Sequence, residues 1–336
     1  MHAGPFAAIH GPGPLIGREH AIRIAAGRLN DGAFSSTSIV GGPKTGKSAL
    51  LRYLASEAAK EHLTDPASVL RVYLDVAALA LGMTPFDFWV SALRQLREQL
   101  PDMGSFVLPV IEKSLNRKLN MFDLEDLFDE YHRRGLRIVL FVDNWDSVLR
   151  NAAFWPPESN FLHLVRYFGQ GASHRTIAWV LASQRPLLDL FDSSRGASPY
   201  YNIFETVAIS ALTDDDIRRF TQAAFDRARV ELHPELAEFI PQVCCGYPYL
   251  AKFVIELYLE RHAAKEELDL NALLEAFAEP SGPLVSLIQQ IRGSLSLAER
   301  QLIETSVASP QVLTRNQKNQ LAKLASYGLL PPRARA

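Results

Sequence analysis

The strongest constraint in this chain is a run of eight residues, Gly41-Gly42-Pro43-Lys44-Thr45-Gly46-Lys47-Ser48. It stands between a β-branched stretch, Ser36–Val40, and an amphipathic one, Ser48–Ala59. A G-x-x-x-x-G-K-[ST] run after a strand and at the start of a helix is built to hold phosphates. Its glycines allow a tight turn whose N–H groups point inward, and the helix start adds its positive end to the same anion site. Lys47 is then the principal side chain on the β- and γ-phosphates, and the Ser48 hydroxyl is placed to ligate Mg²⁺. The nucleotide contact set on this segment runs from Gly41 through Gly42, Pro43, Lys44, Thr45, Gly46, Lys47 and Ser48 to Ala49.

A phosphate loop of this kind belongs to an α/β fold, and the pattern up to about Ser210 agrees. Strands are expected at Ser36–Gly41, Val69–Asp75, Arg137–Asp143, Thr176–Ser183 and Asn202–Ser210. Helices are expected between them, notably at Lys47–Glu61, Pro85–Gln99, Phe122–Arg134 and Asn160–Gly169. Alternation of this sort predicts a parallel sheet covered on both faces. After Ser210 the strand signals stop. Thr213 is placed to cap a helix whose first turn is Asp214-Asp215-Asp216, and further helices follow to Arg292. From Leu295 onward, two helices joined by a polar turn with Pro310, then Gly328 and Leu329-Leu330, have the form of the helical part of a winged-helix unit. The expected organisation is a leader over 1–14, a P-loop NTPase domain over 15–210, a helical lid over 211–280 and a winged-helix-like unit over 281–336.

The second chemical signal is Arg137-Ile138-Val139-Leu140-Phe141-Val142-Asp143, an apolar strand that ends in an acid. This is the form of a Walker B strand, with Asp143 as the second Mg²⁺ contact beside Ser48. Many ATPases place a glutamate next, where it polarises the attacking water; here the residue is Asn144, followed by Trp145 and Asp146. An amide cannot take up a proton as a carboxylate does, so the expectation is firm ATP binding with slow hydrolysis. Asp146, on the outgoing loop, is the candidate substitute through a water. The next strand ends in Ser183-Gln184-Arg185, where Ser183 or Gln184 could reach the γ-phosphate and Arg185 could report on it.

Composition narrows the setting. Hydrophobic residues at 48% and charged residues at 21% are those of an ordinary soluble globular protein, and a cysteine content of only two makes a reducing cytoplasm its expected home. No apolar run approaches the roughly 18 residues of a membrane span, and the first fourteen residues lack the form of a signal peptide. The two cysteines, Cys244 and Cys245, are adjacent and give neither a disulfide framework nor metal-ligand spacing. A net charge of −2 gives no global attraction to nucleic acid, yet Gln311–Ala336 holds Arg315, Lys318, Lys323, Arg333 and Arg335 and no acid.

These segments occur in a recognisable order. Leu15-Ile16-Gly17-Arg18-Glu19, SIVGGPKTGKSALLRYLA, VLFVDNWDSVL, VLASQRPLLDLF, LTDDDIRRF and CCGYPYLAKFV together resemble the STAND-class ATPases, AAA+-related signalling proteins of bacteria and archaea. The resemblance spans roughly residues 15 to 265. It implies that Ile16, Gly17 and Arg18 pass close to the adenine, and that Pro248 of Gly246-Tyr247-Pro248 lies against the base or ribose. It also implies a nucleotide held between sheet domain and lid, and ATP and ADP states that differ in packing. Little sequence follows Leu330, which assigns the output to a partner or to a longer chain. The expected function is therefore an ATP/ADP switch with Mg²⁺ that self-associates or engages a protein partner, and the resemblance implies stress or phage-defence signalling as its setting. The alternative is a DNA-associated ATPase of the initiator or transposition-helper type, holding DNA through its basic C-terminal unit. A small-molecule kinase fits less well, because no acceptor-site motif accompanies the lid.

Overall fold

The structure, a computed structural model, describes residues 15–77, 82–156, 159–170, 176–192, 194, 196, 199–308 and 313–330. The leader over 1–14, the turn at Pro310, and Arg333 and Arg335 lie outside these residues.

The chain divides into two compact units. The first, His20–Val40 with Lys47–Val207, is built on five strands: β1 (Ser36–Val40), β2 (Val69–Asp75), β3 (Arg137–Asp143), β4 (Ile177–Ser183) and β5 (Phe204–Ala208). Their order is β2-β3-β4-β1-β5, and the β2–β3, β3–β4 and β4–β1 pairs are parallel. Burial follows position. β4 is buried at every residue and β3 at all but Arg137, whereas edge strand β5 buries only Val207. A strand covered on both faces needs a continuous apolar run, and VLFV and AWVLA supply it. Because these strands are parallel, Asp75, Asp143, Ser183 and the exit of β1 all fall at one edge of the sheet. That carboxyl edge is where open α/β sheets bind ligands.

Among the described residues of this unit, eight helices flank the strands in sequence: α1 (Glu19–Asn30), α2 (Lys47–Ala55), α3 (Pro85–Gln99), α4 (Gly104–Leu115), α5 (Met121–Arg133), α6 (Trp145–Arg150), α7 (Phe161–Gly169) and the single turn α8 (Leu187–Leu190). α2 is shorter than expected. It ends at Ala55, where the Ser56 hydroxyl donates to the Tyr53 carbonyl at 2.7 Å, and a 3₁₀ turn over Glu57–His62 follows. A short polar side chain that bonds nearby backbone in this way competes with continued helix. Side chains of α3, α5 and α7 meet the sheet in an aromatic cluster: Phe88 packs edge-on against Phe161 at 4.9 Å, and Phe128 against Phe168 at 5.0 Å.

The second unit takes the segment ending at Glu19, the loop Gly41–Gly46 and the chain from Ala208 onward. It is helical throughout its C-terminal part: α9 (Asp214–Ala228), α10 (Pro234–Cys244), α11 (Pro248–Ala263), α12 (Leu270–Ala278), α13 (Pro283–Ser294), α14 (Leu297–Ala308) and α15 (Arg315–Ser326). Thr213 caps α9 as expected, in a reciprocal capping box with Asp216. The Ser296–Glu299 box also forms, before α14. Among the described residues no strand follows β5, so the C-terminal pair α14–α15 shows helices alone. No helix among these residues is long and apolar enough to cross a membrane.

Candidate functional site

The chemistry-bearing residues of the first unit cluster at the carboxyl edge of the sheet. Lys47 opens α2, and burial lowers its ammonium to about 8, against the opposing pull of Asp146 and Asp143. An anion brought beside this ammonium would favour its charged form. Asp143, at the end of β3, is 1% exposed. Its carboxylate accepts the Asn144 N–H at 2.9 Å and the Tyr73 phenol at 3.0 Å. Burial and then Asp143 raise that phenol above its ordinary range, so it stays a donor at neutral pH. Arg52 of α2 stacks over the Tyr73 ring at 5.5 Å.

Asp146 differs from its expected setting. It lies in the first turn of α6, not on an outgoing loop, and is only 7% exposed. It accepts the Gln184 N–H at 2.9 Å, which fastens the end of β3 to the end of β4. Burial raises its carboxyl above the usual range. The Ser183 hydroxyl, a candidate for reaching a γ-phosphate, instead donates to the Arg185 carbonyl at 2.6 Å and closes the turn after β4. Arg185 itself is half-buried in that turn.

Asn144 adopts a left-handed conformation, φ 57° and ψ 41°, just before α6. Asn tolerates this region better than most residues, because its short polar chain can bond locally. Its amide nitrogen donates to Asp75 Oδ1 at 2.8 Å. Asp75 ends β2 in register with Asp143, accepts the Ala77 N–H at 3.1 Å, and lies 4.0 Å from the Arg52 guanidinium. Sequence reasoning missed Asp75, Tyr73 and Arg52. The signal available was a second apolar strand closing on Asp, as β3 does.

In the second unit the loop Gly41–Gly46 is held from several directions. Lys44 and Gly46 take positive φ, 60° and 97°; the glycine spacing marks the second of these turns but not the first. The Thr45 hydroxyl donates to the Gly42 carbonyl at 2.9 Å inside the loop. Arg18, 7% exposed, donates to the carbonyls of Thr45 at 2.7 Å and Ser210 at 2.9 Å. Burial lowers its guanidinium to about 10, with Asp216 and Glu19 offsetting part of the effect, so it remains charged at neutral pH. Gly17 packs so tightly on α9 that a Cβ there would meet Leu212 at 2.6 Å and Asp216 at 2.8 Å. Ile16 is half-buried beside it.

The Gly246-Tyr247-Pro248 segment also meets this loop. A Cβ on Gly46 would lie 3.9 Å from the Pro248 ring, and Lys44 sits over the Tyr249 ring at 4.7 Å. Pro43 is buried, whereas Ala49, in the first turn of α2, is exposed. Two partners were not foreseen. The Tyr327 carbonyl accepts the Gly42 N–H, and the Tyr247 phenol donates to the Gly328 carbonyl at 3.1 Å.

The oxygen donors suit Mg²⁺: a hydroxyl at Ser48 and a carboxylate at Asp143, with no group of three His, Cys, Asp or Glu able to hold a metal among the described residues. An ion held here would take most of its ligands from phosphate and water, as Mg²⁺ ordinarily does.

No family model matches the chain, and no curated protein is similar to it. Solved structures are. The Walker-type ATPase PABY2304 of Pyrococcus abyssi aligns over 95% of this chain and 87% of its own, at 14% identity and a TM-score of 0.57. The ADP form of the Aeropyrum pernix ORC2 protein aligns over 91% and 78%, at 14% identity and 0.55. The ORC1 protein of the same organism, in complex with DNA, aligns over 97% and 84%, at 13% identity and 0.50. At such identities the likeness is one of fold: this chain shares with these proteins a P-loop fold in which a parallel sheet is followed by a helical region.

Proposed function

We propose that this protein binds ATP and ADP with Mg²⁺ through Gly41–Ala49 and Asp143, and works as a slowly hydrolysing switch. The observation that carries this reading is Lys47, which opens α2 directly after the glycine loop with Asp143 and Asp146 as its charged neighbours. Ser48 and Asp143 supply the protein's oxygens to the ion. Slow turnover follows from Asn144, which offers no proton acceptor next to Asp143. Conversion of ATP to ADP removes the γ-phosphate, and a switch needs a partner, or a second copy of this chain, that reads the difference. The narrower STAND reading, with its signalling role, rests on Gly17-Arg18-Glu19 and Gly246-Tyr247-Pro248. What supports it is that Arg18 bonds to the loop Gly41–Gly46 and that Pro248 lies close to Gly46. The test is equilibrium binding of labelled ATP to the full chain with and without Mg²⁺. Lys47→Ala is expected to lose at least about tenfold in affinity, and unchanged affinity would remove the reading.

A second reading, a DNA-associated ATPase, is favoured by α15. Arg315, Asn316, Lys318, Asn319, Gln320 and Lys323 are all exposed, while Leu324 and Ala325 face inward. Cations with amides on one exposed helix suit phosphate and base edges. Structures similar to this chain include the ORC1–DNA complex and domain III of the Thermotoga maritima replication initiation protein DnaA.

A further inference from the structure

Position 144 stands where a carboxylate would activate water, yet it holds an amide locked onto a carboxylate of the neighbouring strand. The Asn144 amide and Asp75 Oδ1 are 2.8 Å apart, brought together by the register that sets Asp75 opposite Asp143. A carboxylate only accepts hydrogen bonds, so the amide must turn its NH₂ toward Asp75. Its carbonyl oxygen then points away from Asp75, as a fixed acceptor. Asp75 is itself held in place by the Ala77 N–H and by the Arg52 guanidinium, which lies on the Tyr73 ring. Tyr73 in turn donates to Asp143. The left-handed backbone at 144 and the carboxylate beside it both disfavour glutamate there: one by conformation, the other by charge repulsion.

We propose that Asp75 is the positioning residue for hydrolysis, fixing Asn144 so that its carbonyl oxygen orients the attacking water. The inference rests on the ATP-binding reading. In the step, the water oxygen bonds to the γ-phosphorus and the β–γ bridging bond breaks, its electron pair leaving on ADP. The water proton, directed toward Asn144 Oδ1 in the approach, passes to the departing phosphate, because the amide cannot keep it. Products are ADP and inorganic phosphate. Water orientation without a base gives a slow, ordered step.

The test compares wild type, Asp75→Asn and the exchanged pair Asp75→Asn/Asn144→Asp in the full chain. Three quantities are measured: ATP affinity, single-turnover hydrolysis, and retention of ADP with aluminium fluoride, which mimics the in-line phosphoryl group. Asp75→Asn frees the amide to flip. It is expected to lower turnover and aluminium fluoride trapping by about tenfold or more, with ATP affinity within about twofold of wild type. The exchanged pair rebuilds a carboxylate–amide bond and restores both. Wild-type turnover and trapping in Asp75→Asn would overturn the inference, as would a loss that appears wholly as weaker ATP binding. Failure of the wild type to bind ATP at all would show in the first measurement and would defeat the underlying reading instead.

Discussion

At the scale of single residues, two cations, buried Arg18 and half-buried Lys47, carry the sharpest expectations. Arg18 serves two carbonyls far apart in the chain, those of Thr45 and Ser210. Arg18→Met keeps much of the apolar stem but leaves both acceptors without their charged donor. The expected cost is about 2–4 kcal/mol in denaturant unfolding, together with weaker ATP binding, since Thr45 belongs to the loop. Lys47 gives a pH dependence. Its folded-state value, about 8, lies below the ordinary 10.5. Between those values the unfolded chain binds more protons, so nucleotide-free protein gains stability as pH rises from about 8 to 10.5. Below about 8 the burial penalty on the charged form is present in full. Lys47→Met should flatten this rise in a pH series of chemical denaturation. ATP affinity should move the other way, falling above about pH 8 as the ammonium is lost.

At the scale of elements, packing and capping give expectations of different size. Phe88 of α3 touches Phe161 and stacks with Trp179. Phe88→Ala should cost about 3–5 kcal/mol by calorimetry. Thr213→Ala, which removes the N-cap of α9, should cost only about 1 kcal/mol. The same elements show what the sequence made legible. β2 and β3 were readable to the residue, because each is an apolar run closed by Asp. α4 was not read, since it opens on Gly104 and carries Pro109 inside, both breaking signals. α1 was overlooked although its buried residues, Ala21, Ile22, Ala25, Ala26 and Leu29, repeat at helical spacing. The loop Gly41–Ser48 and Asp143 were legible because a local motif encodes each of them. The Asp75–Asn144 bond was not, because it depends on the register of two strands far apart in sequence. Arg18 was placed near the loop's ligand by resemblance; that its guanidinium holds the loop's own backbone needed the fold.

At the scale of the whole molecule, the switch and DNA readings separate by salt and by size. If α15 holds duplex DNA through Arg315, Lys318 and Lys323, binding should weaken steeply with salt, with a log–log slope of about −3. The triple variant Arg315→Ala/Lys318→Ala/Lys323→Ala should lose most of that slope. No binding at low salt removes this reading. The switch reading predicts instead that particle mass, followed by light scattering, differs between ATP- and ADP-loaded protein. Lys47→Ala should abolish that difference.

The Arg18 tie has a consequence in time. Its two acceptors lie 27 and 192 residues further along the chain. During synthesis, Arg18 and the glycine loop emerge before Ser210, which arrives only after β1–β5 have been made. Closing so long an interval is the slow kind of folding event. The loop is thus translated well before the contacts that complete it. A chain stalled before Ser210 would carry every motif residue of the loop but lack both the Ser210 carbonyl that helps hold Arg18 and the Tyr327 carbonyl that takes the Gly42 N–H.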